Sequence, residues 1–127
     1  HVLIWLDQDD AALGRNSRVR VDEAQKEGNL AVSAISFWEI AMLVAKRRIA
    51  VDMPLETWRL DLLGAGLIEV PLDGLMGITT AELETAHADP VDRMIIASAL
   101  ATGADLLTAD RFMLDWPGPV NRHDARL

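Results

Sequence analysis

Carboxylates recur in this chain where a short apolar run turns into a helix. In Asp89-Pro90-Val91-Asp92-Arg93-Met94-Ile95-Ile96-Ala97 two of them stand three residues apart at the head of an apolar segment. Glu39 has a similar place in Ser36-Phe37-Trp38-Glu39-Ile40, and Asp110 follows the strand-like Leu106-Leu107-Thr108-Ala109. Oxygen donors gathered in this way suit a hard divalent cation, Mg²⁺ or Mn²⁺. Such a cation usually keeps several waters and takes further oxygens from a substrate phosphate. The chemistry to expect is metal-assisted phosphodiester hydrolysis, in which the ion lowers the pKa of a bound water and offsets charge on the transferring phosphate. Without a cation, carboxylates converging on one edge repel, and some are pushed toward protonation.

Each acid also fits a plainer role. Ser36-x-x-Glu39 has the form of a capping box. Asp89-Pro90-Val91-Asp92 reads as an N-cap aspartate, a proline at the first helical position and an acid at the third. Asp110 or Thr108 can cap the last helix. Capping accounts for any one of these acids alone; their recurrence after successive strands does not follow from it. Arg93 and Arg111 directly follow two of the acids and are placed to steer a phosphate or to hold the carboxylates. His87 is a weaker candidate for a general base. Arg15, Arg18, Arg20 and Lys26 read as a solvated helix face. Trp5, Trp38, Trp58 and Trp116 read as core or interface residues. There is no phosphate-binding glycine loop, no Ser-His-Asp order and no zinc spacing.

The elements that must carry these acids alternate. Ser17 to Lys26 reads as a surface helix stopped near Gly28. Leu30 to Ile35 reads as a buried strand. A helix from Ser36 to about Arg48 is apolar over most of its girth, and Lys46, Arg47 and Arg48 complement its negative pole. Pro54 to Leu63 is helical, Leu67 to Val70 a strand, and Leu75 to about Glu84 a helix. A buried helix from Asp89 to Thr102 stops at Gly103. Asp105 to Thr108 is a strand, Asp110 to Leu114 a short helix, and Val120-Asn121 a final edge strand. By pattern alone His1 to Leu6 is a strand. Strands alternating with helices predict an α/β layer fold with a mainly parallel sheet. In such sheets sites form beyond the carboxyl ends of the strands, where Glu39 and Asp110 fall.

The 127 residues fit one domain, 1–127, and half are hydrophobic, which excludes a disordered acidic chain. The net charge of −8 argues against a general nucleic-acid clamp, although some of that acidity is what metal ligands would contribute. With no cysteine, disulfides and thiolate metal sites are excluded, which fits a reducing, cytoplasmic setting. No apolar run is long enough to span a bilayer, and His1 to Leu6 is too short for a signal peptide and has no basic leader.

Taken together, His1-Val2-Leu3-Ile4-Trp5, Ser33 to Ala41, Asp89 to Ala97 and Thr108-Ala109-Asp110 resemble PIN-domain proteins, and among them the VapC-like toxins of bacterial toxin–antitoxin pairs. The resemblance runs from His1 to about Leu114. It implies a three-layer α/β/α sandwich around a mainly parallel central sheet. It also implies Mg²⁺- or Mn²⁺-dependent endoribonuclease activity, a homodimer, and inhibition by a cognate antitoxin. The family's acids map onto Glu39, Asp92 and Asp110, with Asp89 beside them. The resemblance makes His1 to Leu6 the start of a helix. The family's first strand and first acid directly precede the position of His1 and are absent from this sequence, and the expectation is that the native protein carries a few more residues there. Two other functions stay open. One is a catalytically weak or inactive PIN-like scaffold that binds an antitoxin or a dimer partner. The other is a different Mg²⁺-dependent phosphoryl hydrolase, such as a DNA nuclease or phosphatase.

Overall fold

The computed structural model describes residues 1–83 and 89–127; His87, the candidate general base, and Glu84 lie outside them. Among the described residues, short strands alternate with helices in the order α1 (Val2–Asp7), α2 (Arg15–Lys26), β1 (Ala31–Ser33), α3 (Ile35–Ala45), α4 (Leu55–Gly64), β2 (Ile68–Val70), α5 (Gly74–Glu82), α6 (Pro90–Thr102), β3 (Leu106–Thr108), α7 (Arg111–Asp115) and β4 (Arg122–Asp124). This is the α/β alternation that the sequence predicts. Val2 to Leu6 belongs to a helix with His1 as its N-cap, as the family resemblance implies, and not to the strand that pattern alone gives.

The strands form two parallel ladders instead of one continuous sheet. In the first, Ala31, Val32 and Ser33 stand opposite Ile68, Glu69 and Val70. In the second, Leu106, Leu107 and Thr108 stand opposite Arg122, His123 and Asp124. Each strand is thus paired along one edge among the described residues. The final strand lies two residues beyond the expected Val120-Asn121. Val120 is drawn instead into a core cluster with Ile96, Ala99, Met113 and Trp116. The backbone of the polar run that follows makes the ladder.

Helix α6 joins the two ladders. It packs on α5, α3 and β1. The Ser98 hydroxyl donates to the Met94 carbonyl (2.9 Å) and shares a hydrogen bond with Ser33 Oγ of β1 (2.9 Å). Ile96 of the same helix is fully buried, and Leu106 of β3 packs against its cluster. Truncating such a residue costs roughly 2–5 kcal/mol through lost transfer energy and the cavity left behind. Asp89 and Pro90 open α6, with Asp89 accepting from the Val91 amide. Gly103, at φ 67°, ends it in the left-handed conformation that glycine adopts without steric cost.

A second core holds the first helix. Ile4 of α1, Ile40 of α3 and Trp58 of α4 are buried together, and Phe37, Val44, Ile49 and Val51 pack around them. Trp58 Nε1 donates to Asp7 Oδ2 at 3.0 Å, so the indole's polar atom is satisfied. The start of α2 is tied to the segment after β4, with the Gly14 amide bonded to the Ala125 carbonyl and the Asn16 amide to the Leu127 carbonyl, each at 2.8 Å. A Cβ at position 14 would overlap the backbone of Arg126 and Leu127, so glycine is required there.

Candidate active site

Strands β1 and β3 lead into the segments that carry two of the acids. β1 ends at Ser33 and leads straight into α3, which carries Glu39; β3 ends at Thr108 and leads to Asp110. Asp92 lies in the first turn of α6, the helix that joins both ladders.

The local structure separates the acids that cap, Asp89 and Asp110, from Glu39 and Asp92, which make no cap bond among the described residues. Asp89 accepts from the Val91 amide at 2.9 Å. Asp110 is the N-cap of α7 and accepts from the Met113 amide at 3.1 Å. The capping box expected at Ser36 and Glu39 does not form. The β1 ladder runs on to Ala34, whose amide bonds the Val70 carbonyl at 2.9 Å. The chain turns helical at that residue, which is the N-cap and makes no side-chain cap bond. Ser36 is therefore already inside α3, and Glu39 lies beyond the helix's unsatisfied amides. Helix capping explains Asp89 and Asp110 in part; it does not explain Glu39.

Electrostatics draws these residues into one neighbourhood. The Asp92 carboxyl is pushed up to about 6, first by burial and then by the charges of Asp110, Asp89 and Glu39. His1, at the head of α1, lies within the field of Glu39 and Asp92. The start of α1 therefore lies against the same carboxylates. Among the described residues, no three His, Asp or Glu side chains are placed to hold an ion jointly. The donor set is nonetheless suited to a hard cation. It consists of oxygens, it is half-buried at Asp92, and its mutual repulsion is what a bound cation removes.

The two candidate arginines differ. Arg93 is half-buried, and its Nε is buried without a hydrogen-bond partner among the described residues. Arg111 is exposed and stands 3.9 Å from Asp115 one helical turn on. One contributor was not foreseen: Thr108, whose Oγ1 accepts from the Asp110 amide at 3.1 Å and fixes the approach to that acid. A threonine two residues before an aspartate is a readable signal for such a turn. Trp58 and Trp116 are core residues as expected, whereas Trp38 is 54% exposed.

Comparison with known proteins gives the same direction. The PIN domain family profile matches residues 1–115. Ribonuclease VapC22 of Mycobacterium tuberculosis is 31% identical over 112 residues, covering 87% of this chain and 83% of that protein. No solved structure matches. No helix among the described residues is long and apolar enough to cross a membrane. A profile match over nearly the whole chain, together with a relative of this similarity, means that the chain belongs to the PIN-domain family.

Proposed function

We propose that this protein is a metal-dependent endoribonuclease and the toxin of a toxin–antitoxin pair. The observation that carries the reading is the half-buried Asp92, pushed up to about 6 among Asp110, Asp89 and Glu39 at the carboxyl ends of β1 and β3. A strongly perturbed carboxylate among others of like charge is a marker of function more than of stability. The similarity to ribonuclease VapC22 supports RNA as the substrate.

Glu39, Asp92 and Asp110 would hold Mg²⁺ or Mn²⁺, directly or through water, with Asp89 beside them. When bound, the ion supplies an activated water and offsets phosphate charge. The protein's own contribution is positional. Thr108 and the cap bond to Met113 fix Asp110, the cap bond to Val91 fixes the entry to α6, and the β1–α3 turn presents Glu39. Arg93 and Arg111 are the candidates for steering the phosphate. The partners are a cognate antitoxin and a second copy of the chain. Exposed Trp38 and Met42, one helical turn apart on α3, support a protein–protein contact there. The setting is cytoplasmic.

A second reading, a PIN scaffold without catalysis, is favoured by the lack of three ion-holding side chains in joint reach among the described residues. Glu39→Gln separates the two. The variant keeps its fold because Glu39 makes no cap bond. On the ribonuclease reading it loses Mg²⁺- or Mn²⁺-dependent RNA cleavage that EDTA abolishes in the wild type. If the wild type shows no such cleavage with either metal, the scaffold reading stands. Cleavage of DNA or small phosphoesters in preference to RNA would favour a different phosphoryl hydrolase.

A further inference from the structure

An acidic protein that cleaves a polyanion must receive it somewhere. Lys46, Arg47 and Arg48 form the turn that follows α3, and all three are exposed. No acidic residue occurs between Glu39 and Asp52 in the sequence, so this is an acid-free cationic stretch on a chain of net charge −8. Among the described residues none of the three forms an ion pair, whereas Arg18, Arg59, Arg111 and Arg126 each do. Arg15, Arg20 and Lys26 sit on α2, where Asp22 and Glu23 are interleaved with them.

The turn is built as a rigid platform. The Arg47 amide bonds the Val44 carbonyl at 3.0 Å, and the Arg48 amide bonds the Leu43 carbonyl at 2.9 Å. Ile49 and Val51, which follow, pack into the core around Trp58. Gln8 Nε2 donates to the Ala50 carbonyl at 2.8 Å and ties the segment to the end of α1. Arg47 holds φ at 57°, a left-handed position where glycine or asparagine is favoured. Helix-pole complementarity accounts for positive charge at the end of α3, but not for a long side chain at a left-handed position. Beside the turn is an open recess of about 460 Å³, lined by Arg47 and Arg48 with Val44, Ile49, Ala50 and Val51. It offers guanidinium groups for phosphates and an aliphatic floor for a base.

The helix that ends here is the one that carries Glu39. From Glu39 to Ala45, the last residue of α3, is about 9 Å of helical rise, and Arg47 lies two residues further on. Substrate would reach from the acids to the turn within a few nucleotides.

We infer that the Lys46-Arg47-Arg48 turn is a landing site for the RNA backbone. It engages phosphates flanking the scissile one and leaves the chemistry to the carboxylates. The inference rests on the ribonuclease reading above.

The test uses Arg47→Gly, which suits the left-handed backbone, combined with Arg48→Gln. Anisotropy of a labelled oligouridylate, measured with the whole protein in EDTA across a salt series, reads binding without cleavage. The expected result is about tenfold weaker binding and a salt slope reduced by about 1.4, that is, about 0.7 for each lost phosphate contact. In Mg²⁺ or Mn²⁺, KM for the long RNA rises while kcat holds, and cleavage of a dinucleotide, too short to reach the turn, is unchanged. Wild-type affinity and slope in a variant of an RNA-cleaving protein would overturn the landing site alone. So would unchanged RNA binding with weakened binding of an acidic peptide. A wild type that neither binds nor cleaves RNA would overturn both the landing site and the ribonuclease reading.

Discussion

Glu69 and Asp92 are both partly shielded carboxylates beside parallel strands, and the protein treats them in opposite ways. Glu69, on β2, receives two hydrogen bonds from Arg59, at 2.7 and 2.6 Å. The guanidinium holds its carboxyl below the usual range. Arg59 also stands 5.9 Å from the centre of the Phe37 ring. Among the described residues Asp92 has no such partner; the charges of Asp110, Asp89 and Glu39 act on it, and its carboxyl rises to about 6. Where charge serves the fold, this chain provides the counter-charge itself. Around Asp92 no counter-charge stands among the described residues, which is the arrangement the proposed cation would complete.

The largest effect should come from Asp92→Asn. Metal-dependent cleavage should fall by at least about a hundredfold, the scale on which electrostatic stabilisation of a transition state is lost. The metal-free variant should be more stable than the wild type at pH 7, seen as a higher Tm. A fall in both activity and Tm would make Asp92 a structural acid like Glu69. Glu39→Gln should match the loss of cleavage with no change in Tm, since no cap bond is removed.

The pH dependence of metal-free stability follows from Asp92. Its pKa lies near 6 in the fold against 3.8 for the ordinary group. Between these values the folded state binds more protons than the unfolded one, so stability falls as pH rises through that window. The contribution is fully present below about pH 4 and lost above about pH 6. Two pKa units correspond to about 3 kcal/mol, and solvent screening at a half-buried site reduces this to roughly 1 kcal/mol. Denaturant midpoints at pH 5 and 7.5 should show the difference, and excess Mg²⁺ at pH 7.5 should reduce it.

Asp89→Ala removes the cap bond to Val91 and should cost about 1 kcal/mol in urea unfolding. Asp89→Asn, which still caps, should restore the stability; a loss of metal affinity in that variant would place Asp89 among the ligands. The smallest effect belongs to the paired region. Arg59→Ala should lower Tm modestly, because the partly exposed pair is screened by solvent, and should leave the metal dependence of cleavage unchanged.

Much of this was legible in the sequence, for identifiable reasons. Asp89-Pro90 and Gly103 fix α6 because cap chemistry is local. Glu39, Asp92 and Asp110 stand out in the sequence as candidates through their recurrence after apolar runs; what the fold adds is the burial of Asp92 and the charge of the others upon it. The error at Glu39 came from the same local logic: Ser36-x-x-Glu39 satisfies the capping-box pattern, but the ladder to Val70 moves the helix start to Ile35, a long-range effect that no local pattern contains. The last strand was misplaced because Val120 is apolar for the core and not for the ladder. Its partner strand pairs through the backbone of Arg122, His123 and Asp124, which show no period of two.

Calorimetric titration of the metal-free protein with Mn²⁺ at pH 6, in buffers of different ionisation enthalpy, addresses the carboxylates directly. Binding should release protons, because the ion displaces those held by Asp92, and both the binding and the release should be lost in Asp92→Asn. Binding of equal strength and equal proton release in wild type and variant would contradict a cation shared around Asp92.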